Sequence, residues 1–338
     1  PRHFLSSNIP RLGCAKSTAT ESVLPKMAES VLDVLKETLI ALILCLYYQI
    51  VAIIKAILPA SVQGKNINGE TVLITGAGSG IGRCMAIRFA KLGARLVLWD
   101  INQDGNKETA AKVKEAGATV KTYTINLCDR EEVYRVADKV KREVGDVDIL
   151  VNNAGIVTGK KFLDCPDDMI QKTMDVNIMA HYWTVKAFLP GMIERDHGHI
   201  VNIARSAGLV GVTGLADYCA SKHAAVGFDE SMRFELYTMG KKGVHTTVVC
   251  PYFINTGMFE GVKTRFPFLL PVLEQDYVAD KIIDAILCNQ HIIMLPRILY
   301  IFTALKGVLP TNCQFILADL LGINTFMDTF RGRQNKNE

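Results

Sequence analysis

Four glycines fall within eight residues, Thr75-Gly-Ala-Gly-Ser-Gly-Ile-Gly82, and no other stretch restricts the possible folds of this chain as much. The stretch follows a short apolar run, Thr71 to Ile74, that reads as a buried strand, and it opens into Arg83 to Leu92, whose apolar spacing is helical. A strand, a glycine turn and a helix N-terminus together make a phosphate cradle. Backbone N–H groups and the positive end of the helix dipole face an anion there, and glycine lets the backbone approach a diphosphate without a Cβ in between. A ligand-free glycine loop has the same composition, so the turn needs support from elsewhere in the chain. Asp100 supplies it, closing the next strand-like run, Arg95 to Trp99, at about the spacing where a carboxylate reaches the ribose hydroxyls of NAD. Gly76, Ser79, Gly80, Ile81, Gly82 and Asp100 are therefore candidate NAD-binding residues. Because no arginine follows Asp100 to hold a 2′-phosphate, NAD is favoured over NADP.

From Thr71 onward strand-like and helix-like segments alternate. The strand candidates are Thr71 to Ile74, Arg95 to Trp99, Thr119 to Thr124, Asp148 to Asn152, His199 to Ile203, Val244 to Cys250 and His291 to Leu295. Helical patterns fill the gaps, among them Glu131 to Val144, Met174 to Leu189 and Ala220 to Thr238. This alternation predicts an α/β fold, a doubly wound parallel sheet with right-handed crossovers and helices on both faces.

The 338 residues are 49% hydrophobic and 21% charged, which suits one large α/β domain with appendages. The net charge of +4 is scattered, so nothing asks for nucleic acid. Nine cysteines with no CxxC pair read as reduced thiols, and no metal site is expected. The first methionine is Met27, and residues 1–36 are expected to be a leader outside the fold. Between Glu37 and Lys55 stand seventeen uncharged residues, Thr38 to Ile54. That length is near the lower limit for crossing a bilayer, and residues 37–58 are read as a membrane anchor. Lys55 and Lys65 lie downstream with no acidic residue before Glu70, a bias that puts the following domain on the cytosolic side. The apolar stretch Ile292 to Leu309 is interrupted by Pro296, Arg297 and Lys306, making it a poor second span and a better core-packing or membrane-facing segment. A domain over 69–310 followed by a tail over 311–338 completes the expected organisation, with 331–338 disordered.

Asn152-Asn-Ala-Gly155 ends the fourth strand, where a doubly wound sheet presents its ligand site. Tyr218 and Lys222 are four apart in a helical stretch, so both project from one face. A neighbouring ammonium stabilises a phenolate and brings tyrosine toward the working range of a general base.

TGAGSGIG, NNAG, Asn177 and YCASK, in this order and spacing, resemble the short-chain dehydrogenase/reductase family over roughly Gly69 to Pro296. The resemblance implies a Rossmann-type single domain and hydride transfer between an alcohol or carbonyl and NAD(P). It implies Tyr218 as the acid/base, Lys222 as the residue that binds the ribose and tunes the tyrosine, and Asn177 as the holder of a proton-relay water. Asn126, Leu127, Asn153, Ala154, Gly155, Pro251, Ile254 and Thr256 complete the implied cofactor site. LVLWDIN at 96–102, NNAGIVTGKKFLDCP at 152–166, GLADYCASK at 214–222 and NTGMFEG at 255–261 are similar to the membrane-anchored retinol dehydrogenase branch. That branch implies oxidation of all-trans-retinol at the endoplasmic reticulum or lipid-droplet surface, with 17β-hydroxysteroids as the alternative substrates. The family further implies a homodimer formed through the helices at Met174 to Leu189 and Ala220 to Thr238.

One position departs from the family pattern. A serine thirteen residues before the tyrosine is replaced by Arg205, and Ser206 is the nearest hydroxyl. A one-residue shift at a strand end is expected to turn a side chain to the other face, so Ser206 would substitute only if the strand bulges. Arg205 also opens a different outcome, a chain that binds cofactor without turnover.

Overall fold

The computed structural model describes residues 31–262 and 264–332; the expected leader, apart from its last six residues, and positions 333–338 lie outside this range. The chain forms two compact units that divide after Pro59. Helix α1 (Val31–Ile57) makes up the first. Over Val31–Lys55 it is long and apolar enough to cross a membrane, and none of that window is buried by the protein. Leu39, Ile43, Leu46 and Ile50 are all exposed. The helix starts several residues before the expected anchor, so Asp33, Lys36 and Glu37 form its first polar turns.

The second unit begins with the short helix α2 (Ala60–Gln63) and then alternates: β1 (Thr71–Thr75), α3 (Gly80–Lys91), β2 (Arg95–Asp100), α4 (Gln103–Glu115), β3 (Val120–Thr124), α5 (Arg130–Glu143), β4 (Ile149–Asn152). It continues through α6 (Asp167–Met174), α7 (Ala180–Arg195), β5 (Gly198–Ile203), α8 (Ala216–Thr238), β6 (Val244–Pro251), α9 (Gln275–Leu287), β7 (Ile292–Leu295), α10 (Ile298–Val308) and α11 (Thr311–Leu321). Every expected strand is present. The seven strands lie in the order β3-β2-β1-β4-β5-β6-β7, and every neighbouring pair is parallel. The order reverses between β1 and β4, and ligands of such sheets bind at the carboxyl ends beside that point.

Side-chain alternation along the strands builds a core on each face. Val72 and Ile74 of β1, with Leu96 and Leu98 of β2, join the layer packed under α3 and α9. Leu73, Val97 and Trp99 point the other way, toward α5 and α7. Because both faces are covered, the strands read as continuous apolar runs rather than alternating ones.

Three expectations need correction. The helix anticipated over Met174 to Leu189 is interrupted by a π-helical turn, Asp175–Met179, and it runs on through Pro190 to Arg195. Phe188 and Met192, both buried and four apart, carry the helix past the proline by packing on the same core. Helix α8 begins at Ala216, not Ala220, since Gly214 turns with φ +77° and Asp217 places an acid in the first turn, where the helix dipole favours it. The stretch from residue 311, anticipated as a tail, holds α11, and Phe326 beyond it is buried in the core of the sheet unit. The apolar segment Ile292 to Leu309 divides into the buried strand β7 and helix α10, with Ile301, Leu305 and Val308 exposed.

Candidate active site

The glycine turn leaves β1 at the switch point and enters α3. Gly76 and Gly80 adopt φ of +66° and +57°, a region open chiefly to glycine. A methyl at position 82 would stand 2.2 Å from the carbonyl oxygen of Gly76, so only glycine lets the helix start this close to the turn. Asn153 braces the turn: its Nδ2 donates to the carbonyls of Thr75 (2.9 Å) and Gly76 (3.1 Å). Thr75 Oγ1 accepts in return from the backbone N–H groups of Asn153 and Ala154. The Asn153 side chain is thus committed to the protein itself, and Ala154 and Gly155 form the surface beside it. Thr75 was not singled out from the sequence, although a hydroxyl at a strand end beside Asn-Asn-Ala-Gly is a usable signal.

Asp100 closes β2 with its carboxylate turned to the loop. Oδ2 accepts from the Gly78 N–H at 2.7 Å and Oδ1 from the Asn102 N–H at 2.8 Å. These backbone donors fix the carboxylate next to the glycine turn. Asn126 and Leu127 follow β3, with Leu127 buried and Asn126 exposed. On the far side Pro251 ends β6, Ile254 is buried, and a methyl on Gly80 would stand 3.7 Å from Thr256 Cβ. The loop after β6 therefore lies over the glycine turn, near Ser79 and Ile81 at the head of α3.

Tyr218 and Lys222 stand on α8 and are almost fully buried. Lys222 Nζ lies 5.8 Å from the Tyr218 ring centroid and donates to the carbonyl of Ile203 at 2.8 Å. Asn177 sits in the π turn, where the extra residue swings its amide toward β4: Oδ1 accepts from the Ile156 N–H (2.8 Å) and Nδ2 donates to the Ile156 carbonyl (3.0 Å). The same Nδ2 donates to Ser221 Oγ, which donates to the Tyr218 carbonyl, so Ser221 ties Asn177 to the tyrosine's own turn. A methyl on Gly155 would come within 3.3 Å of Asn177 Oδ1 and 3.5 Å of Lys222 Nζ, which locates these three residues around one point. No metal-ligand cluster exists among the described residues.

Burial pushes the Tyr218 phenol up to about 12, and the Arg205 cation works against that rise. Burial also takes Lys222 down to about 7, and Arg205 pushes it in the same direction. The sequence suggested Lys222 as the cation acting on the tyrosine. Arg205 adds a second cation that acts on the phenol in the same direction, and guanidinium keeps its charge when buried.

Arg205 has φ +67° and ψ 165°, a region that a side-chain-bearing residue rarely occupies. The N–H groups of both Ala204 and Arg205 reach the Val249 carbonyl, at 2.9 and 3.0 Å, so the chain gains a residue against β6 as β5 ends. Strict alternation stops at Ile203. In consequence Arg205 and Ser206 both line one cavity of about 640 Å³, together with Tyr218. The expectation that they face opposite ways fails for this reason. The remaining walls are mainly apolar: Phe253, Phe259 and Leu270 from the loop after β6, with Phe302 from α10 and Phe315 and Leu321 from α11. Sequence reasoning missed the α11 wall.

The glycine turn, the Asp100 carboxylate beside it and a buried tyrosine hydroxyl without a partner among the described residues all fit a nicotinamide dinucleotide. Residues 70–265 match the family described as short chain dehydrogenase. The chain is 57% identical to epidermal retinol dehydrogenase 2 of Homo sapiens over 286 residues, covering 84% of this chain and 92% of that protein. Retinol dehydrogenase 10 of Xenopus tropicalis is 45% identical over 296 residues, 79% of this chain and 86% of that one. Among solved structures, a short chain dehydrogenase/reductase from Burkholderia phymatum in complex with NAD is 28% identical with a TM-score of 0.66, covering 72% of this chain and 95% of that chain. A metagenomic short-chain oxidoreductase in complex with NADP is 27% identical with a TM-score of 0.59, covering 68% and 98%. The chain belongs to the short-chain dehydrogenase/reductase family and is an NAD-dependent short-chain dehydrogenase.

Proposed function

We propose that this protein oxidises a lipophilic primary alcohol, all-trans-retinol in the first instance, to the aldehyde at a membrane surface. The observation that carries the reading is the apolar cavity of about 640 Å³ that ends on Tyr218. Its phenyl and leucine walls suit a long hydrocarbon, and relatives at 57% and 45% identity carry the name retinol dehydrogenase. In this reading Gly76, Ser79, Gly80, Ile81 and Gly82 hold the diphosphate, Asp100 the ribose, and Asn126, Leu127, Ala154 and Gly155 flank the rest. Pro251, Ile254 and Thr256 cover the nicotinamide, which supplies the hydride acceptor when bound. Tyr218 takes the hydroxyl proton, Lys222 holds a ribose and Asn177 orders a relay water. The cavity walls exclude water from the reacting carbon, and the fixed tyrosine holds the alcohol in position.

The domain is proposed to face the cytosol at the endoplasmic reticulum or a lipid droplet, tethered by α1. Exposed Phe234, Tyr237 and Met239 at the end of α8 support a homodimer through α7 and α8. Deleting residues 27–58 is expected to release the protein from membranes in a high-salt wash. Complete retention would assign attachment to α10 and α11, where Val308, Phe315 and Ile316 are exposed.

The direct test gives membranes containing the protein retinol and NAD and measures retinal by chromatography, with a 17β-hydroxysteroid in parallel. Retinal formation supports the reading; steroid oxidation alone would replace it. NAD bound with neither substrate turned over would favour the silent outcome that Arg205 introduces. Asp100→Ala is expected to narrow the NAD-over-NADP ratio of kcat/KM at least about tenfold, since the carboxylate that repels a 2′-phosphate is gone. Equal use of NADP by the unaltered protein would defeat that assignment.

A further inference from the structure

A buried guanidinium is normally matched by a carboxylate, because taking the charge out of water is costly and arginine cannot shed its proton. Among the described residues Arg205 has no such match. It is 8% exposed, Nη1 has no hydrogen-bond partner, and Nη2 reaches only the Met258 sulfur at 3.9 Å. Phe259 holds it from one side, with the guanidinium carbon 5.6 Å from the ring centroid. The same ring lies 5.8 Å from that of Tyr218, whose hydroxyl is likewise buried and unpartnered. Two unused donors therefore flank one aromatic ring on the wall of one cavity. Among the described residues no aspartate or glutamate lines that cavity, and the other cation there, Lys306, is engaged with the Leu209 carbonyl.

Donors without acceptors define the ligand. An alcohol or aldehyde offers Arg205 a weak neutral acceptor, whereas a carboxylate offers two charged oxygens in the planar geometry that a guanidinium fork accepts. We propose that the cavity binds a long-chain apolar monocarboxylate, its head on Arg205 and the Tyr218 hydroxyl and its tail along the phenylalanine and leucine walls. The proposal rests on the reading of this cavity as the lipophilic substrate site. It adds a ligand class that competes with the alcohol and is not turned over.

The test uses the full-length chain in phospholipid nanodiscs, with empty nanodiscs as the blank, at about pH 9 so that the acid is ionised. The probes are the fluorescent polyene cis-parinaric acid, its methyl ester and the primary amine of the same chain. Binding is read without cofactor. The unaltered protein is expected to bind acid at least about tenfold tighter than ester, and the amine weakest, as charge-assisted pairing with a fixed cation requires. In Arg205→Met, which keeps apolar volume and removes charge, the acid-to-ester ratio should fall to about one, with ester affinity retained. Equal binding of acid and ester by the unaltered protein, or a ratio that persists in Arg205→Met, overturns the proposal. If Arg205→Met does not fold, the order acid, ester, amine in the unaltered protein decides alone. Oxidation of alcohols with no preference for the acid would sink this proposal and leave the dehydrogenase reading intact; acid preference without any turnover would do the reverse.

Discussion

Tyr218→Phe is expected to lower kcat/KM for alcohol oxidation by at least about a thousandfold, within the range that positioned proton transfer contributes. The ring is buried and in edge contact with Phe259, so phenylalanine fills the same volume. Its hydroxyl makes no hydrogen bond among the described residues, and removing it leaves none of them unsatisfied. Stability and NAD affinity should therefore stay nearly unchanged, which separates loss of a base from loss of a fold. The pH dependence has a definite sign. Burial holds the phenol up to about 12, so the reactive phenolate is the minor form at neutral pH, and oxidation should accelerate as pH rises. Steady-state kinetics with a thermal melt and an NAD titration on the same preparation check all three. Retention of more than about a tenth of the rate would mean that a different group removes the proton, against the magnitude expected of a general base.

The seven strands were legible because parallel strands covered on both faces must be short apolar runs, and Val72 to Ile74 or Leu96 to Trp99 could be little else. The glycine turn was legible for a related reason: positive φ at Gly76 and Gly80 and the closeness of Gly82 to the turn are demands that only glycine meets. The π turn was not, since one extra residue in a helix leaves the apolar period almost undisturbed, and only the bonds from Asn177 to Ile156 reveal it. Helix α11 was invisible as part of the site because its apolar residues face a cavity whose other walls lie as many as a hundred residues earlier in the chain. The pose of Arg205 was the least readable feature. Nothing in Ala-Arg-Ser announces a left-handed arginine; the conformation exists because Ala204 and Arg205 share the Val249 carbonyl and Phe259 packs the side chain.

That pose decides what Arg205→Ser should do: raise kcat/KM for alcohol oxidation at least about tenfold, ~1.4 kcal/mol of barrier, while the NAD dissociation constant stays nearly the same. The electrostatic consequences oppose each other. Losing the guanidinium lets the Tyr218 phenol rise further, which leaves less phenolate at neutral pH, but it also relieves part of the downward push on Lys222 beside the ring, whose larger cause is burial. Positioning then controls the result. Serine is small, uncharged and able both to donate to and accept from the alcohol oxygen, whereas guanidinium only donates and takes up far more of the cavity. A reacting alcohol displaced by about 1 Å can lose roughly a hundredfold in rate, more than a modest change in the base returns. Ser206 lines the same cavity, so it is the competing source of the hydroxyl. Should Arg205→Ser leave turnover flat while Ser206→Ala abolishes it, the shared Val249 carbonyl has already moved the serine into place and the arginine does not obstruct the reaction. An accelerated Arg205→Ser with an indifferent Ser206→Ala would instead locate the missing hydroxyl at position 205 and make this chain a slow dehydrogenase held back by one side chain.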